Sequence, residues 1–443
     1  MTEAQAVELA SKAVAIARNA GADEAEATLS HGRSFHVEAR EKELTKLEQS
    51  TGRTMHMRLI VGGRRVSVGT SDVSNDSLQS VIGAAIEQAK EVTPDPLAGL
   101  PENCGALGID LKLFDPALAS RDDALKVDDA LSLERIIRAS DARVTNSGGS
   151  HYGDGISTVA IANSCGFARA YTATRVSRST SPVAEDGGHK RTSHYGTASR
   201  YVNELESNDS VAKMAAKRCV EMFGASKPHT GRMPVIFERD VAAAVLDDLF
   251  SAINAANVAI GNSWLADRLG ERIGSDLINI ADDGTMPRLL GSSPFDGEGV
   301  MTQRTSVFEA GVLKSFLFDT YYARKLGQAS TGNSTGGGIG ANNFYLESGR
   351  QSLEQLIAAT PRGVLVLDTI GFATEHASGT YSRGARGFMI EGGELAYPID
   401  EFTIAAHFAE MLASVDAVAS DLRFDGSVVS PSFRVAEMTI SGN

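Results

Sequence analysis

Apolar positions at helical spacing open the chain. Val7, Ala10, Val14 and Ala17 recur every three or four residues and Gly21 follows, which predicts a helix over about Ala4 to Ala20. The period then shortens. Phe35–Arg40, Leu44–Gln49 and Thr54–Ser71 alternate or cluster β-formers, and Gly62-Gly63 is placed as a hairpin turn between two of these runs. Leu78, Ile82, Ala85 and Ala89 return to helical spacing over about Asp76 to Val92. Pro94, Pro96 and Pro101 then interrupt the pattern, and a first boundary is placed there.

A polar helix over about Arg121 to Ser140 opens the middle of the chain. β-rich segments follow at Ser157–Asn163, Ala168–Ser177 and Thr192–Tyr201, and a helix over Val211–Phe223 closes the region. Beyond Arg232, Pro234–Phe237 reads as a short buried strand and Val241–Ile253 as a helix. Further on the pattern predicts a hairpin at Ala310-Gly311, a helix over Tyr321–Leu326 and a Gly-rich loop over Thr331–Gly340. A helix over Leu353–Ala359, a strand over Gly363–Leu367 and a turn at Gly392-Gly393 come next, then a helix over Ala405–Leu412 and a final strand over Phe433–Ile440. Helices and hairpins mix without a βαβ rhythm, so the expected class is α+β. Three regions are expected: an N-terminal α/β unit with hairpins over residues 1–100, a β-rich middle over 101–230 and a mixed C-terminal domain over 231–443.

Composition narrows the function classes. A net charge of −14 with only isolated basic pairs argues against direct nucleic-acid binding. No apolar run approaches the roughly 20 residues of a membrane span. The first helix carries charges throughout, unlike a signal peptide. Cys104, Cys165 and Cys219 are odd in number and far apart, which fits a reducing, cytoplasmic setting.

Candidate chemistry is sparse. His31/His36 and His189/His194 stand five residues apart, a spacing that faces neither a helix nor a strand partner, so no metal ligand is assigned. Gly332-Asn333-Ser334-Thr335-Gly336 matches G-x-S-x-G, and Asp368 and His376 follow in the chain order of an α/β-hydrolase triad. The flanks lack the strand before and helix after that a nucleophile elbow needs. The same loop lacks the Gly-Lys-Ser/Thr ending of a phosphate loop. Glu375, His376, Tyr381 and Arg383 gather a carboxylate, an imidazole, a phenol and a guanidinium in what reads as one loop.

Several segments, in order over nearly the whole chain, resemble the TldD/PmbA family in its PmbA (TldE) branch. They include Thr93-Pro94-Asp95-Pro96, Thr145-Asn146-Ser147-Gly148-Gly149, Ser293-Pro294-Phe295-Asp296-Gly297-Glu298-Gly299, Tyr322-Ala323-Arg324-Lys325-Leu326-Gly327, Tyr381-Ser382-Arg383-Gly384-Ala385 and Glu401-Phe402-Thr403-Ile404-Ala405. The resemblance implies a cytosolic, two-component metallopeptidase, historically linked to DNA gyrase modulation, that trims unfolded or flexible peptides held as an extended strand between subunits. In the catalytic TldD-type chain an HExxxH segment and a later cysteine hold zinc. Here the matching helix reads Val241-Ala-Ala-Ala-Val-Leu-Asp-Asp-Leu-Phe250 and no cysteine follows Cys219; Asp425-Gly426-Ser427 stands in the expected neighbourhood.

The resulting expectation is a subunit with no zinc, no cofactor and no catalytic residue of its own, completing a peptide cavity beside a TldD-type partner. Asn333, Ser334, Glu375, His376, Tyr381 and Arg383 are its candidate substrate-binding groups. A serine hydrolase built on Ser334 and a non-enzymatic homodimeric peptide-binding protein are the alternatives.

Overall fold

The computed structural model describes residues 1–371 and 374–443. Helix α1 (Glu3–Asn19) starts where the sequence places it, with Thr2 and Gln5 closing a capping box. Its buried face is Ala6, Ala10, Ala13, Val14 and Ala17, so Ala6 and Ala13 join the expected stripe and Val7 packs half-buried at its edge. These small residues let the helix lie close on the sheet beneath it.

That sheet has seven strands: β1 (Glu24–Arg40), β2 (Glu43–Val61), β3 (Arg64–Thr70), β4 (Val144–Asn163), β5 (Ala168–Asp186), β6 (His189–Thr192) and β7 (Tyr195–Ser199). The order is β3-β2-β1-β4-β5-β6, with β7 also on β5. β1 pairs with β4 from Glu26↔Asn163 to Ala39↔Ser150, so the first two expected regions share one continuous sheet. Gly62 and Gly63 make the predicted hairpin turn, both at positive φ (56° and 71°) where a side chain is disfavoured.

Strand alternation gives this sheet two unlike faces. Ala25, Ala27, Leu29, Phe35, Val37 and Ala39 of β1 are buried. Helices α1 and α2 (Asn75–Ala89) cover one half of that face; α3 (Pro116–Ala119), α4 (Asp123–Ala139) and α5 (Asn208–Val220) cover the other. Each fully buried Leu or Met here contributes roughly 1.5–3 kcal/mol. The opposite face of β1 reads Glu26, Thr28, Ser30, Ser34, His36 and Glu38 and is polar along its length. The β1–β2 hairpin projects outward. Residues 43–53 of β2 are exposed, and pairing with β3 begins only at Met55.

The C-terminal region runs β8 (Gly231–Phe237), α6 (Arg239–Ile253), α7 (Ala255–Ala259), β9 (Ile280–Asp283), β10 (Arg304–Glu309), β11 (Val312–Leu313), α8 (Thr320–Lys325), β12 (Phe344–Leu346) and α9 (Leu353–Ala358). It continues through β13 (Arg362–Ile370), β14 (Thr374–Glu375), β15 (Thr380–Glu391), β16 (Glu394–His407), α10 (Phe408–Ala413), β17 (Val415–Val418), β18 (Val428–Val429) and β19 (Phe433–Ser441). A seven-stranded sheet, β13-β8-β19-β16-β15-β14 with β17 on β19, and a five-stranded sheet, β11-β10-β9-β12-β18, enclose the largest core with α6. The α+β class holds.

Two local expectations are corrected. Glu375–Gly384 is not one loop: β14 and β15 form a hairpin with its turn at residues 376–379. Ala405–His407 is strand, not helix. Pairing with β15, and of Ala405 with β19, overrides its helical propensity, and the helix begins only at Phe408. Among the described residues, no helix is long and apolar enough to cross a membrane.

Candidate functional site

Two clefts lie between the polar side of the N-terminal sheet and the C-terminal region. The larger, about 940 Å³, has Ser177, Ser179, His194 and Gly196 on the sheet side. Helix α6 supplies Asp240, Val241 and Ala244 to the opposite wall, with Asp368, Arg383, Arg386, Arg423 and Asp425 around them. Local chemistry fixes α6 in this place. Glu238 caps it by accepting from the Asp240 amide, and Arg218 bridges Glu238 (2.9 Å) and Asp240 (2.7 Å). Burial and the nearby Asp240 charge push Glu238 above the usual carboxylate range. Burial also opposes the charge on Asp240, but Arg218 more than offsets it and holds that carboxyl low.

The other lining carboxylates, Asp368 and Asp425, and Asp248 and Glu206 behind the wall, also meet guanidinium groups. Arg383 donates to both oxygens of Asp248 on α6 (2.7 and 2.9 Å), Arg386 pairs with Asp368, and Arg423 pairs with Asp425 and Glu206. Tyr195 receives a hydrogen bond from Arg423 (2.5 Å) and donates to Glu206 (2.8 Å).

The second cleft, about 750 Å³, lies under the Gly-rich loop. Ser334, Thr335, Gly336 and Gly337 line one side, and Glu26, Thr28, Ser30 and Arg58 line the sheet side. At its base Arg58 joins Glu26 (2.9 Å) and Glu298 (2.5 Å), all three nearly without solvent. Burial opposes the Arg58 charge, yet the two carboxylates keep its pKa above the ordinary value. Burial raises Glu26; for Glu298 the same burial is outweighed by Arg58. Asp296 accepts the amides of Glu298, Val300 and Ser334, and burial pushes its pKa up to about 7.

The six candidate residues separate. Asn333 is a buried strut that donates to Asp282 (2.7 Å) and to the Gly340 carbonyl (3.0 Å), closing the loop on itself. Ser334 reaches the second cleft, but its hydroxyl accepts from the Gly336 amide (3.1 Å). Asp368 borders the other cleft and His376 lies in the β14–β15 turn, so the Ser334–His376–Asp368 triad is not assembled. Glu375 is exposed and accepts from Ser378 (2.9 Å). Tyr381 is a core residue, 1% exposed and edge-on to Phe237 and Phe408, because alternation on β15 turns it toward the helix layer. Only Arg383 borders the larger cleft.

The paired histidines also separate. His31 and His36 occupy alternate faces of β1, while the His194 ring contacts the Ser181 hydroxyl (3.1 Å). The pattern reading missed the wall residues Arg218, Asp240, Arg386 and Arg423. Each sits on a different element, and no sequence spacing brings them together.

Three family models match the chain in order: the PmbA/TldA metallopeptidase domain 1 over residues 25–89, the central domain over 116–223 and the C-terminal domain over 230–442. Metalloprotease PmbA of Escherichia coli O157:H7 is 31% identical over 422 residues, covering 95% of this chain and 92% of that protein. The PmbA homolog of Haemophilus influenzae is 32% identical, covering 97% and 95%. This chain belongs to the PmbA/TldD metallopeptidase family. A crystal structure from Bacteroides thetaiotaomicron, named as a DNA gyrase modulator, superposes with a TM-score of 0.92 at 27% identity over 98% of both chains. TldE from Thermococcus kodakarensis superposes at 0.90 with 22% identity, over 98% of this chain and 100% of that one, a likeness of fold.

Within the PmbA/TldD frame, α6 is the helix on which the resemblance sets the histidine ligands, and Asp425 lies in the neighbourhood of the cysteine. Both border the larger cleft. Facing it from α6 are a carboxylate, a valine and an alanine.

Proposed function

We propose that this chain is the PmbA/TldE-type subunit of a two-component cytoplasmic metallopeptidase acting on unfolded or flexible peptides. A TldD-type partner supplies the zinc and the general base. The observation that carries this reading is the wall of the larger cleft. Zinc sites use Cys, His and carboxylate donors, at least three of them and free to coordinate. Here Asp240 is held by Arg218, and Asp425 by Arg423. Arg383 and Arg386 add two more guanidinium groups. A dication would have to displace these ion pairs and sit among like charges, so the residues present do not fit it.

The chain's own residues then hold and orient substrate. Serines 177 and 179 and the backbone of β7 offer hydrogen-bond groups along the cleft floor, suited to an extended peptide. The exposed, one-sided stretch of β2 offers a free strand edge for pairing, with the partner or with a second copy when the chain is alone.

The test measures turnover of an unfolded polypeptide by the chain alone, by a TldD-type chain alone and by the two co-expressed. Turnover only in the mixed complex is expected. Chelator-sensitive turnover by this chain alone overturns the proposal.

A further inference from the structure

His36, Glu38 and His151 form a cluster on the polar sheet face beside the floor of the larger cleft, where His151 stands opposite Ser179 and Gly153 opposite Ser177. His36 and Glu38 are two residues apart on β1 and share its polar face. On β4, His151 stands directly opposite Glu38, and Gly153 directly opposite His36. One donor atom from each of the three side chains lies within 4.8 Å of the others. The two imidazoles face each other, with centroids 5.6 Å apart and planes inclined by 21°.

One glycine keeps space open beside these donors, whereas a Cβ on Gly153 would make only ordinary contact with His36 Nδ1 (3.7 Å). Gly149, at φ +121° where the β4 register shifts, passes close to the other pair. A Cβ there would meet His151 Nε2 at 3.2 Å and the Glu38 carboxylate at 3.5 Å. Among the described residues, none of the three side chains makes a hydrogen bond or ion pair of its own. Lys46, the residue opposite Glu38 on β2, pairs instead with Glu48 (2.8 Å). Burial lowers the His151 pKa, which favours the neutral ring that a metal needs.

Two imidazoles and one carboxylate, partly shielded and converging without partners, are the donor set of a zinc-class ion with a coordination position left open. We infer that His36, Glu38 and His151 bind a divalent transition metal of the zinc class on the polar face of the N-terminal sheet. This site lies on different elements from α6 and Asp425, and it stands or falls independently of the two-component reading. Tetrahedral bonds of roughly 2.0–2.2 Å set donors about 3.3–3.6 Å apart, so binding requires side-chain rotation that draws the three together.

The experiment strips the full-length chain with a chelator, dialyses it against Zn²⁺ alone and counts bound metal by mass spectrometry. About one zinc per chain is expected. His36→Ala, His151→Ala and the isosteric Glu38→Gln each weaken retention by at least about tenfold. Co²⁺ in place of Zn²⁺ shows d–d bands without a thiolate charge-transfer band. The inference is overturned if the wild type retains no zinc. It is also overturned if the three variants retain as much as the wild type, or if retention follows Cys104→Ser or Cys165→Ser instead. Circular dichroism of the Glu38→Gln variant, which keeps side-chain shape, separates lost binding from lost folding.

Discussion

Arg58 shows how strongly single residues tie the two halves of the chain. It comes from β2 and joins Glu26 of β1 to Glu298 of the C-terminal region, with all three side chains buried. Arg58→Ala leaves two buried carboxylates facing each other and is expected to destabilise the fold by roughly 3–5 kcal/mol in urea unfolding. Arg58→Lys restores little, since one ammonium cannot reproduce the forked geometry. Asp296 adds a pH dependence. Its folded pKa is raised to about 7, whereas the unfolded side chain ionises near 4. Between these values the unfolded chain releases a proton that the folded chain keeps. The group's contribution is therefore full at low pH and is lost as pH rises through about 7. The stability advantage of the wild type over Asp296→Asn is expected to shrink between pH 5 and pH 8. A gap that stays constant would count against a buried, protonated Asp296.

At the scale of elements, the contact of β13 with β15 depends on a glycine. A Cβ on Gly387 would lie 1.8 Å from the Leu365 carbonyl, beside the point where β13 carries an extra residue against β15. Gly387→Ala must push the strands apart, and a fall in melting temperature of several degrees is expected, corresponding to roughly 1–3 kcal/mol. Arg383 secures the neighbouring hairpin to α6 through Asp248 and to the Gly371 carbonyl (2.8 Å). Arg383→Ala is expected to cost roughly 1.5–3 kcal/mol. It should slow peptide processing by the mixed complex while leaving assembly intact; unchanged turnover would remove Arg383 from the substrate-facing wall. Most elements were legible from local pattern. The apolar stripes of α1, α2, α5 and α6 and the glycine turns at 62–63 and 392–393 are local signals. The first half of β1 was not, because Glu24-Ala25-Glu26-Ala27 carries little β propensity and is extended by its two neighbouring strands.

At the scale of the whole molecule, one polar sheet face and the C-terminal region enclose two clefts of different character. The larger has an arginine-rich wall; the smaller has a glycine loop over a buried Glu–Arg–Glu group. Co-expression with a TldD-type chain is expected to give a stable mixed complex whose zinc-dependent turnover exceeds that of either chain alone. Lengthening the exposed strand's charge, as in Leu47→Lys, is expected to weaken association measured by sedimentation if the β2 edge takes part. Unchanged association would exclude that edge from the interface.

The sequence by itself determined the α+β class, the main helices, the glycine turns and the helix over Val241–Ile253 with no histidine on it. These follow from periodicity, turn chemistry and residue identity, all of which are local. Tertiary structure decided which candidates meet. It separated Asn333 and Ser334 from Arg383, sent Tyr381 into the core and joined Arg383 to Asp248 and Arg423 to Glu206 across the fold. It also brought His151 to His36 and Glu38. Strand register and helix docking set those distances, and both are fixed by contacts between segments more than a hundred residues apart.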